Sequence, residues 1–464
     1  MTGSRSAADG VVLPGRVLVV GFARTGVAVA GVLRRRGVTV LAVDDDPSAA
    51  TFATARRSAV ELVAAPTPDE LARLAGRAEL VVVSPGVPPS HPIFAVAADV
   101  PVISEIELAG RLGGPEIIAI TGTNGKTTVT SLVASMLSKS GRATRAAGNI
   151  GYPLVEAVDE PGLDVVVAEV SSFQLALTTS FRPSVGAWLN LAEDHLDWHR
   201  DLEEYADAKG RIWANQDARD VAVANAEDAV VLERARRSSA RLVTFGERSG
   251  DFRGVSGRFL GPGDLEWASL SDLPRAMPHD VANSLAALAV ASSAGGSPDA
   301  CRAALREEVQ LPHRVELVAT IGGVRYVDDS KATTPSAVVA ALAGFDSVVL
   351  LAGGRNKGLD LAAIASAASA GGARGRRVAR LRGVVAIGEA AREVEVAFAG
   401  LAPVVGASTM HDAVAAARDL AEVGDAVLLS PGCASYDWYR SYEERGADFA
   451  REVRALVPLG TGRA

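Results

Sequence analysis

The sequence predicts an α/β protein of three domains built on parallel sheets. Three observations carry this. The chain has 464 residues, too many for one hydrophobic core. Short apolar runs alternate with helix-like stretches in repeated strand–helix–strand units. Hydrophobic residues make up 48% and charged residues 22%, an ordinary globular balance that argues against a mainly disordered chain.

The elements follow in order. RVLVVGFARTG is an apolar strand running into a Gly-bearing turn. VAVAGVLRRRG reads as a helix ended by Gly37, VTVLAVDDD as a second strand, and LVVVSPGVPPS as a strand closed by a Pro/Gly loop. A second block opens with EIIAITGTNGKTT, again strand, loop and helix, and continues with the strands DVVVAEVSS and SVGAWLNL. DVANSLAALAVASSA is a long helical stretch. A third block begins after LPHR, with strands in VRYVDDS, SVVLLAGG, GVVAIG and AVLLSPG. Domains of 1–108, 109–311 and 312–464 fit. GERSGDFRGVSGRFLGPGD (246–264) reads as a surface insertion because it is Gly-rich and polar. The Arg-rich stretch near 371–382 reads as a solvated basic loop, with a nucleic-acid patch as the alternative.

Composition excludes several classes. A net charge of −8 opposes a protein that coats nucleic acid. No apolar run approaches the ~20 residues that span a bilayer. The first residues, MTGSRSAADG, lack a signal-peptide core. Cys301 and Cys433 have no spacing that points to zinc or a disulfide framework. A soluble cytoplasmic protein is expected, with no nucleic acid and no membrane span; a monomer is expected as well. Of 47 Lys and Arg, only five are Lys: Lys126, Lys139, Lys209, Lys331 and Lys357. Lysine is a compact ammonium that can also react as a neutral amine, and arginine can replace it in neither role.

Ile117–Ile120 followed by Thr121-Gly122-Thr123-Asn124-Gly125-Lys126-Thr127-Thr128 is the strongest signal in the chain. A strand delivers the chain into a glycine-containing loop, and a helix starts at its end. Backbone N–H groups and the helix N-terminus can cradle phosphate oxygens. Lys126 would reach the β/γ-phosphates of ATP, and the Thr127 hydroxyl would ligate Mg²⁺. The spacing departs from the general P-loop pattern, since Ile120 stands where that pattern has its first glycine. An ordinary strand–turn–helix is the alternative. At the N-terminus, Gly21-Phe22-Ala23-Arg24-Thr25-Gly26 approaches a dinucleotide fingerprint, with Asp44 after the second strand. Ala23 replaces the middle glycine that lets backbone approach a pyrophosphate. A nicotinamide-dependent dehydrogenase is the competing enzyme class.

The form TGTNGKTT resembles the phosphate loop of the Mur ligase family, which also includes folylpolyglutamate synthetases. AEVSSFQ (168–174), EDHLD (193–197), LPHR (311–314), DDSKAT (328–333) and SPGCASYD (430–437) occur in the family's order. The last two, with the Rossmann-like start, most resemble the members that add D-glutamate. The resemblance implies a Rossmann-like N-terminal domain, a central P-loop ATPase-like domain and a C-terminal Rossmann-like domain. It also implies ATP-dependent joining of D-glutamate to UDP-N-acetylmuramoyl-L-alanine through an acyl phosphate, with ADP and phosphate released. The runner-up is a ligase of the same superfamily with another acceptor. A nucleotide-binding regulator without turnover is the non-enzymatic alternative.

Such a reaction gathers several anions, which Mg²⁺ and fixed cations would offset. By resemblance the phosphate loop is Gly122, Thr123, Asn124, Gly125, Lys126, Thr127 and Thr128. Glu169 and His195 ligate Mg²⁺, of which two ions are expected. Taken alone, an acid ending so apolar a strand would be costly to bury without a partner such as Mg²⁺, with an exposed strand-end carboxylate as the alternative for Glu169 and a solvated loop histidine as the alternative for His195. Lys209 reads alone as a helix lysine, but the matching family position is carbamylated, turning a cation into an oxygen donor. Asn283 would read adenine. Asp280 departs from a second family Asn and reads as a helix N-cap. Arg314 would approach the ATP phosphates and Asp329 the ribose. Lys331 would support the same charged junction and count among the substrate-binding residues, while Thr333, Lys357, Ser435, Tyr436 and Tyr442 match the D-glutamate pocket, and Tyr442 stands where the family often has a packing Phe. In the first domain Arg24 and Thr25 would face the diphosphate, and Asp44, Asp45, Ser84 and Gly86 the uridine. Asp45 departs from a small hydroxyl residue. Asn149, Ser171 and Gln174 would meet the muramoyl end. Lys139 reads as an ordinary surface lysine.

Overall fold

A computed structural model describes residues 13–97, 99–195, 198–307, 311–369 and 379–456. The chain falls into two compact units. One comprises Met1–Leu191, Glu203–Pro274 and Ala282–Glu307; the other comprises Ala192–Leu202, Arg275–Val281 and Glu308–Ala464.

The first unit holds two sheets. One has strands β1 (Arg16–Val20), β2 (Thr39–Asp44), β3 (Glu61–Ala64), β4 (Leu80–Val83) and β5 (Val102–Ser104), in the order β3-β2-β1-β4-β5. All its pairings are parallel. The other is nine-stranded: β6 (Glu116–Thr121), β7 (Thr144–Gly148), β8 (Val165–Glu169), β9 (Val185–Trp188), β10 (Val221–Asn225), β11 (Arg241–Gly246), β12 (Phe252–Val255), β13 (Arg258–Leu260) and β14 (Glu266–Ser269). Its order is β14-β13-β12-β11-β10-β9-β6-β8-β7. Only the β12–β13–β14 end is antiparallel. Strand β8, VVVAE, is buried along its length, as a central parallel strand must be.

That antiparallel end corrects one expectation. Residues 246–264 are not a surface insertion; they extend the central sheet. Phe252 and Phe259 are buried, and the Phe252 ring meets Trp267 edge-on at 5.5 Å. The stretch reads as a loop in sequence because glycine and polar residues surround just two aromatic anchors.

The second unit holds a six-stranded sheet. Its strands are β15 (Glu316–Ile321), β16 (Val324–Asp328), β17 (Ser347–Gly353), β18 (Arg380–Ile387), β19 (Val404–Gly406) and β20 (Ala426–Gly432), in the order β15-β16-β20-β17-β18-β19. Only β15–β16 is antiparallel. Most of the Arg-rich stretch expected as a loop lies outside the described residues; its end, from Arg380, is already strand β18. No helix among the described residues is long and apolar enough to cross a membrane.

Candidate functional site

Parallel sheets collect loops at the carboxyl ends of their strands, and these are the places where ligands bind in open α/β sheets. In the first sheet, Gly21 takes a left-handed φ of 82° after β1. A Cβ on Gly26 would lie 2.0 Å from the Gly21 carbonyl oxygen, so the third fingerprint glycine is required by helix-to-strand packing. A cavity of about 430 Å³ lies here, lined among others by Arg24, Thr25, Asp44, Asp45, Ser84, Gly86, His91 and Asn149. The structure therefore brings the residues expected around a sugar nucleotide into one cavity, except Ser171 and Gln174. Asp44 accepts the Phe22 N–H at 2.7 Å and the Asp46 N–H at 3.1 Å, and so shapes the β1 and β2 turns. Ser84 Oγ donates to the Gly21 carbonyl at 2.8 Å. The Asp45 side chain is 65% exposed and faces His91 Nε2 at 3.3 Å. Arg24 Nη1 donates to the Gly151 carbonyl at 2.7 Å.

Ser171 and Gln174 form a capping box on helix Ser172–Ala176. Ser171 Oγ accepts the Gln174 N–H at 3.2 Å, and Gln174 Oε1 accepts the Ser171 N–H at 3.0 Å.

The loop after β6 leads into helix Lys126–Lys139. Gly125 is its N-cap with φ 83°, and a Cβ there would lie 2.4 Å from Asn283 Oδ1. Glycine is demanded twice, by the left-handed backbone and by the close approach. Lys126 Nζ donates to the carbonyls of Gly122 at 2.9 Å and Thr123 at 2.8 Å. Lys209 Nζ, on helix Leu202–Gly210, donates to the same Gly122 carbonyl at 2.9 Å and lies 4.4 Å from the centre of the Tyr205 ring. Lys209 is 1% exposed, which contradicts the solvated-helix alternative.

Asn190 escaped the sequence reading. Its Oδ1 accepts the Asn124 N–H at 2.8 Å and the Thr123 N–H at 3.1 Å, and its Nδ2 donates to the Asn124 carbonyl at 3.1 Å. It fixes the loop after β6 from just beyond β9. The available signal was an amide two residues beyond a buried apolar strand.

Glu169 closes β8 and is 3% exposed, so it is not an exposed strand-end carboxylate. Oε1 accepts Asn149 Nδ2 at 3.1 Å, while Oε2 is buried and has no hydrogen-bond partner among the described residues. A buried carboxylate oxygen without a donor is costly, and a hard cation would satisfy it. His195 lies in the segment 192–202, which belongs to the other unit. It holds a left-handed φ of 57°, and its Nε2 lies 3.3 Å from Asp194 Oδ2. Leu196 and Asp197 of the same motif lie outside the described residues.

In the second unit, Asp329 follows β16 and is buried. Burial pushes its carboxyl up to about 7, partly offset by Ser430, whose Oγ donates to Oδ2 at 2.8 Å. Asp280 is not a helix N-cap. It is the third residue of helix Pro278–Ser293, and its carboxylate accepts the Met277 N–H at 3.1 Å and pairs with Arg275. Burial opposes its ionisation, but Arg275 and His279 hold it well below the usual carboxylate range.

Lys331 Nζ donates to Tyr442 Oη at 2.9 Å, so Tyr442 hydrogen-bonds as well as packs. Ser435 is buried, Thr333 and Lys357 are half-buried, and Tyr436 is 60% exposed. Asn356 shapes the turn that carries Lys357 by accepting the Leu359 N–H at 2.9 Å. Arg445, also missed in sequence, is fully buried. It donates to Ser330 Oγ at 2.9 Å, the Ser330 carbonyl at 2.8 Å and the Cys433 carbonyl at 3.1 Å. It thereby ties together the two loops that present Lys331 and Ser435.

Comparison with known proteins gives three matches in series. Residues 15–104 match the Mur ligase MurD-like N-terminal domain, 120–291 the Mur ligase middle domain, and 313–433 the Mur ligase glutamate ligase domain. A protein of Frankia casuarinae named UDP-N-acetylmuramoylalanine–D-glutamate ligase is 43% identical over 461 residues, covering 95% of this chain and 94% of that one. Proteins of the same name from Thermobifida fusca and Myxococcus xanthus are each 40% identical, covering 95% of this chain and 98% of theirs. Among solved structures, MurF ligase of Thermotoga maritima in complex with ADP is 17% identical with a TM-score of 0.60, covering 95% of both chains. The MurC ligase of the same organism is 19% identical with a TM-score of 0.58, covering 95% of this chain and 99% of that one. Those two likenesses bear on the fold. The serial domain matches and the near-full-length relatives place this chain in the Mur ligase family.

Proposed function

We propose that this chain is an ATP-dependent ligase of peptidoglycan precursor synthesis, joining D-glutamate to UDP-N-acetylmuramoyl-L-alanine and releasing ADP and phosphate. One observation carries the reading: relatives sharing one name match it over nearly the whole of both chains at 40% identity or more. Two balanced steps suffice. A carboxylate oxygen of the alanyl group attacks the γ-phosphorus and the bond to ADP breaks, giving an acyl phosphate. The amine of D-glutamate then attacks the acyl carbon, the carbon–oxygen bond to phosphate breaks, and the amine sheds a proton.

The chain's residues bind and orient the reactants. Arg24 and Thr25 face the diphosphate of the sugar nucleotide, Asp44, Asp45, Ser84 and Gly86 the uridine, and Asn149, Ser171 and Gln174 the muramoyl end. Gly122 to Thr128 cradle the ATP phosphates at a helix N-terminus. Asn283 reads adenine, Asp329 accepts from the ribose, and Arg314 meets the phosphates. Lys331 and Lys357 offset the carboxylates of D-glutamate, with Thr333, Ser435, Tyr436 and Tyr442 around them.

Thr127, Glu169, His195 and a carbamylated Lys209 would hold Mg²⁺. The unpartnered Oε2 of buried Glu169 fits a hard cation. Lys209 fits a carbamate, because its nitrogen would keep one N–H for the Gly122 carbonyl. Bound Mg²⁺ supplies charge neutralisation for the triphosphate and for the transferring phosphoryl group.

The test is phosphate release with UDP-N-acetylmuramoyl-L-alanine and a panel of amino acids. Release should require D-glutamate. Equal rates with L-glutamate or meso-diaminopimelate would overturn the substrate assignment, and no release with any amino acid would favour a non-catalytic regulator.

A further inference from the structure

Arg314 stands between two residues held in the left-handed region, His313 with φ 61° and Val315 with φ 48°. For a β-branched residue this is a genuine outlier. Such strain persists only where the surroundings over-determine it, and it gathers at functional sites. Several contacts pin the turn. The His313 N–H donates to Glu316 Oε2 at 3.0 Å, and His313 Nδ1 pairs with Asp328 Oδ2 at 2.7 Å. The Val315 N–H donates to Asp329 Oδ1 at 3.2 Å, and the His313 carbonyl accepts the Lys331 N–H at 3.2 Å.

Arg275 reaches the two remaining carbonyls. Its Nη1 donates to Val315 O at 2.8 Å and to Arg314 O at 3.3 Å. A guanidinium can hold two carbonyls in register only if its own plane is fixed. Asp280 fixes it with two parallel bonds, Nε to Oδ2 and Nη2 to Oδ1, both 2.8 Å. Asp280 is itself 9% exposed and anchored to the helix start through the Met277 N–H. This is a built element, unlike a surface ion pair.

We propose that Arg275, locked by Asp280, is a positioning residue: it holds the strained His313–Val315 turn and so fixes how Arg314 is presented to the ATP phosphates. The proposal rests on reading Arg314 as the phosphate-binding arginine. It also explains Asp280, where the resemblance leads one to expect an asparagine reading adenine. Here a carboxylate is needed, because only a carboxylate offers both oxygens to the Arg275 fork.

The test separates positioning from stability. Arg275→Met alone leaves a buried carboxylate without its partner and risks misfolding. The double variant Arg275→Met/Asp280→Asn removes both charges, and its fold is checked by thermal unfolding. In the folded double variant kcat should fall about 10- to 100-fold, the scale of a misplacement near 1 Å. KM for ATP should rise, while KM for D-glutamate and for the UDP-sugar substrate stays unchanged. A folded double variant with unaltered kcat and KM for ATP would overturn the proposal. Arg314→Ala runs beside it. Full activity in Arg314→Ala refutes the phosphate-arginine reading itself, whereas an inactive Arg314→Ala with an unaffected double variant refutes only the role of Arg275.

Discussion

Helix Glu105–Leu112 carries two buried carboxylic acids two residues apart, and their surroundings drive them in opposite directions. Glu105 accepts the Val155 N–H at 2.6 Å, and burial dominates, pushing its carboxyl up to about 7. Glu107 is fully buried as well. Burial would raise its pKa, but it accepts from the Thr179, Ser180 and Phe181 N–H groups, both Thr179 and Ser180 hydroxyls, and Arg111. The hydrogen bonds outweigh burial and hold the carboxyl down to about 2, well below an ordinary glutamate's 4.5.

The two shifts make opposite predictions for glutamine. Holding the Glu107 carboxyl at about 2 rather than 4.5 is worth about 3 kcal/mol. Its folded pKa is depressed, so that stability is present above pH 4.5 and fades as pH falls towards 2, with about half left near pH 3. Glu107→Gln should therefore lower Tm at pH 7 by roughly 6–12 °C. Glu105 has a raised folded pKa, so its contribution is intact at low pH and is lost as pH rises through 7. Glu105→Gln mimics the protonated acid and still accepts the Val155 N–H, so it should gain up to about 3 kcal/mol over the unsubstituted protein near pH 8 and little at pH 5. Thermal unfolding by circular dichroism from pH 5 to pH 8 reads both. A Glu107→Gln protein as stable as the parent at pH 7, or a Glu105→Gln effect that does not grow with pH, would refute the reasoning.

Further outcomes follow from the site. Lys209→Arg should be as inactive as Lys209→Ala, both losing at least about 100-fold in kcat, since arginine cannot take up CO₂ and even outer-shell partners of a metal are worth up to that much. A small carboxylic acid should partly restore Lys209→Ala, and an active Lys209→Arg would return Lys209 to a purely cationic role. Lys126→Ala should keep its fold and lose about 10²- to 10³-fold in kcat, the scale of removing one electrostatic stabiliser; near-normal turnover would show that the loop does not carry the chemistry. Gly26→Ala should disrupt the first domain, because its Cβ would meet the Gly21 carbonyl at 2.0 Å, and unimpaired UDP-sugar binding would contradict that packing argument.

The parallel strands were legible because strands buried on both faces leave continuous apolar runs, as in β8 and β17. The strand–loop–helix around residues 116–139 was legible because its apolar strand, its glycines and the start of its helix are adjacent in sequence. What escaped reading depends on partners far along the chain. Glu107 binds a turn more than 70 residues away, Asn190 a loop 66 residues away, and Arg445 a serine 115 residues away. Little local marks these side chains beyond the amide that follows a buried strand at Asn190, since an acid, an amide or an arginine between apolar elements is ordinarily solvated. The β12–β14 meander escaped for another reason: in a segment so rich in glycine, two buried aromatics make too weak an alternation to compete with turn signals.

The lysines show why residue type can outrun position as a clue. Lys126 and Lys209 converge on a single carbonyl, that of Gly122, at 2.9 Å each. Each presents a single nitrogen to that oxygen, Lys126 as an ammonium and Lys209 through the one N–H that the proposed carbamate keeps. A guanidinium spreads charge over a flat fork and would need room on both sides of that oxygen. Lys139 makes the contrast. It pairs with Glu307 at 2.6 Å through a largely solvated bridge that an arginine would serve equally well. A chain that writes 42 of its 47 basic residues as arginine has thus kept lysine where one nitrogen meets one carbonyl and, at Lys209, where the proposed carbamate needs an amine.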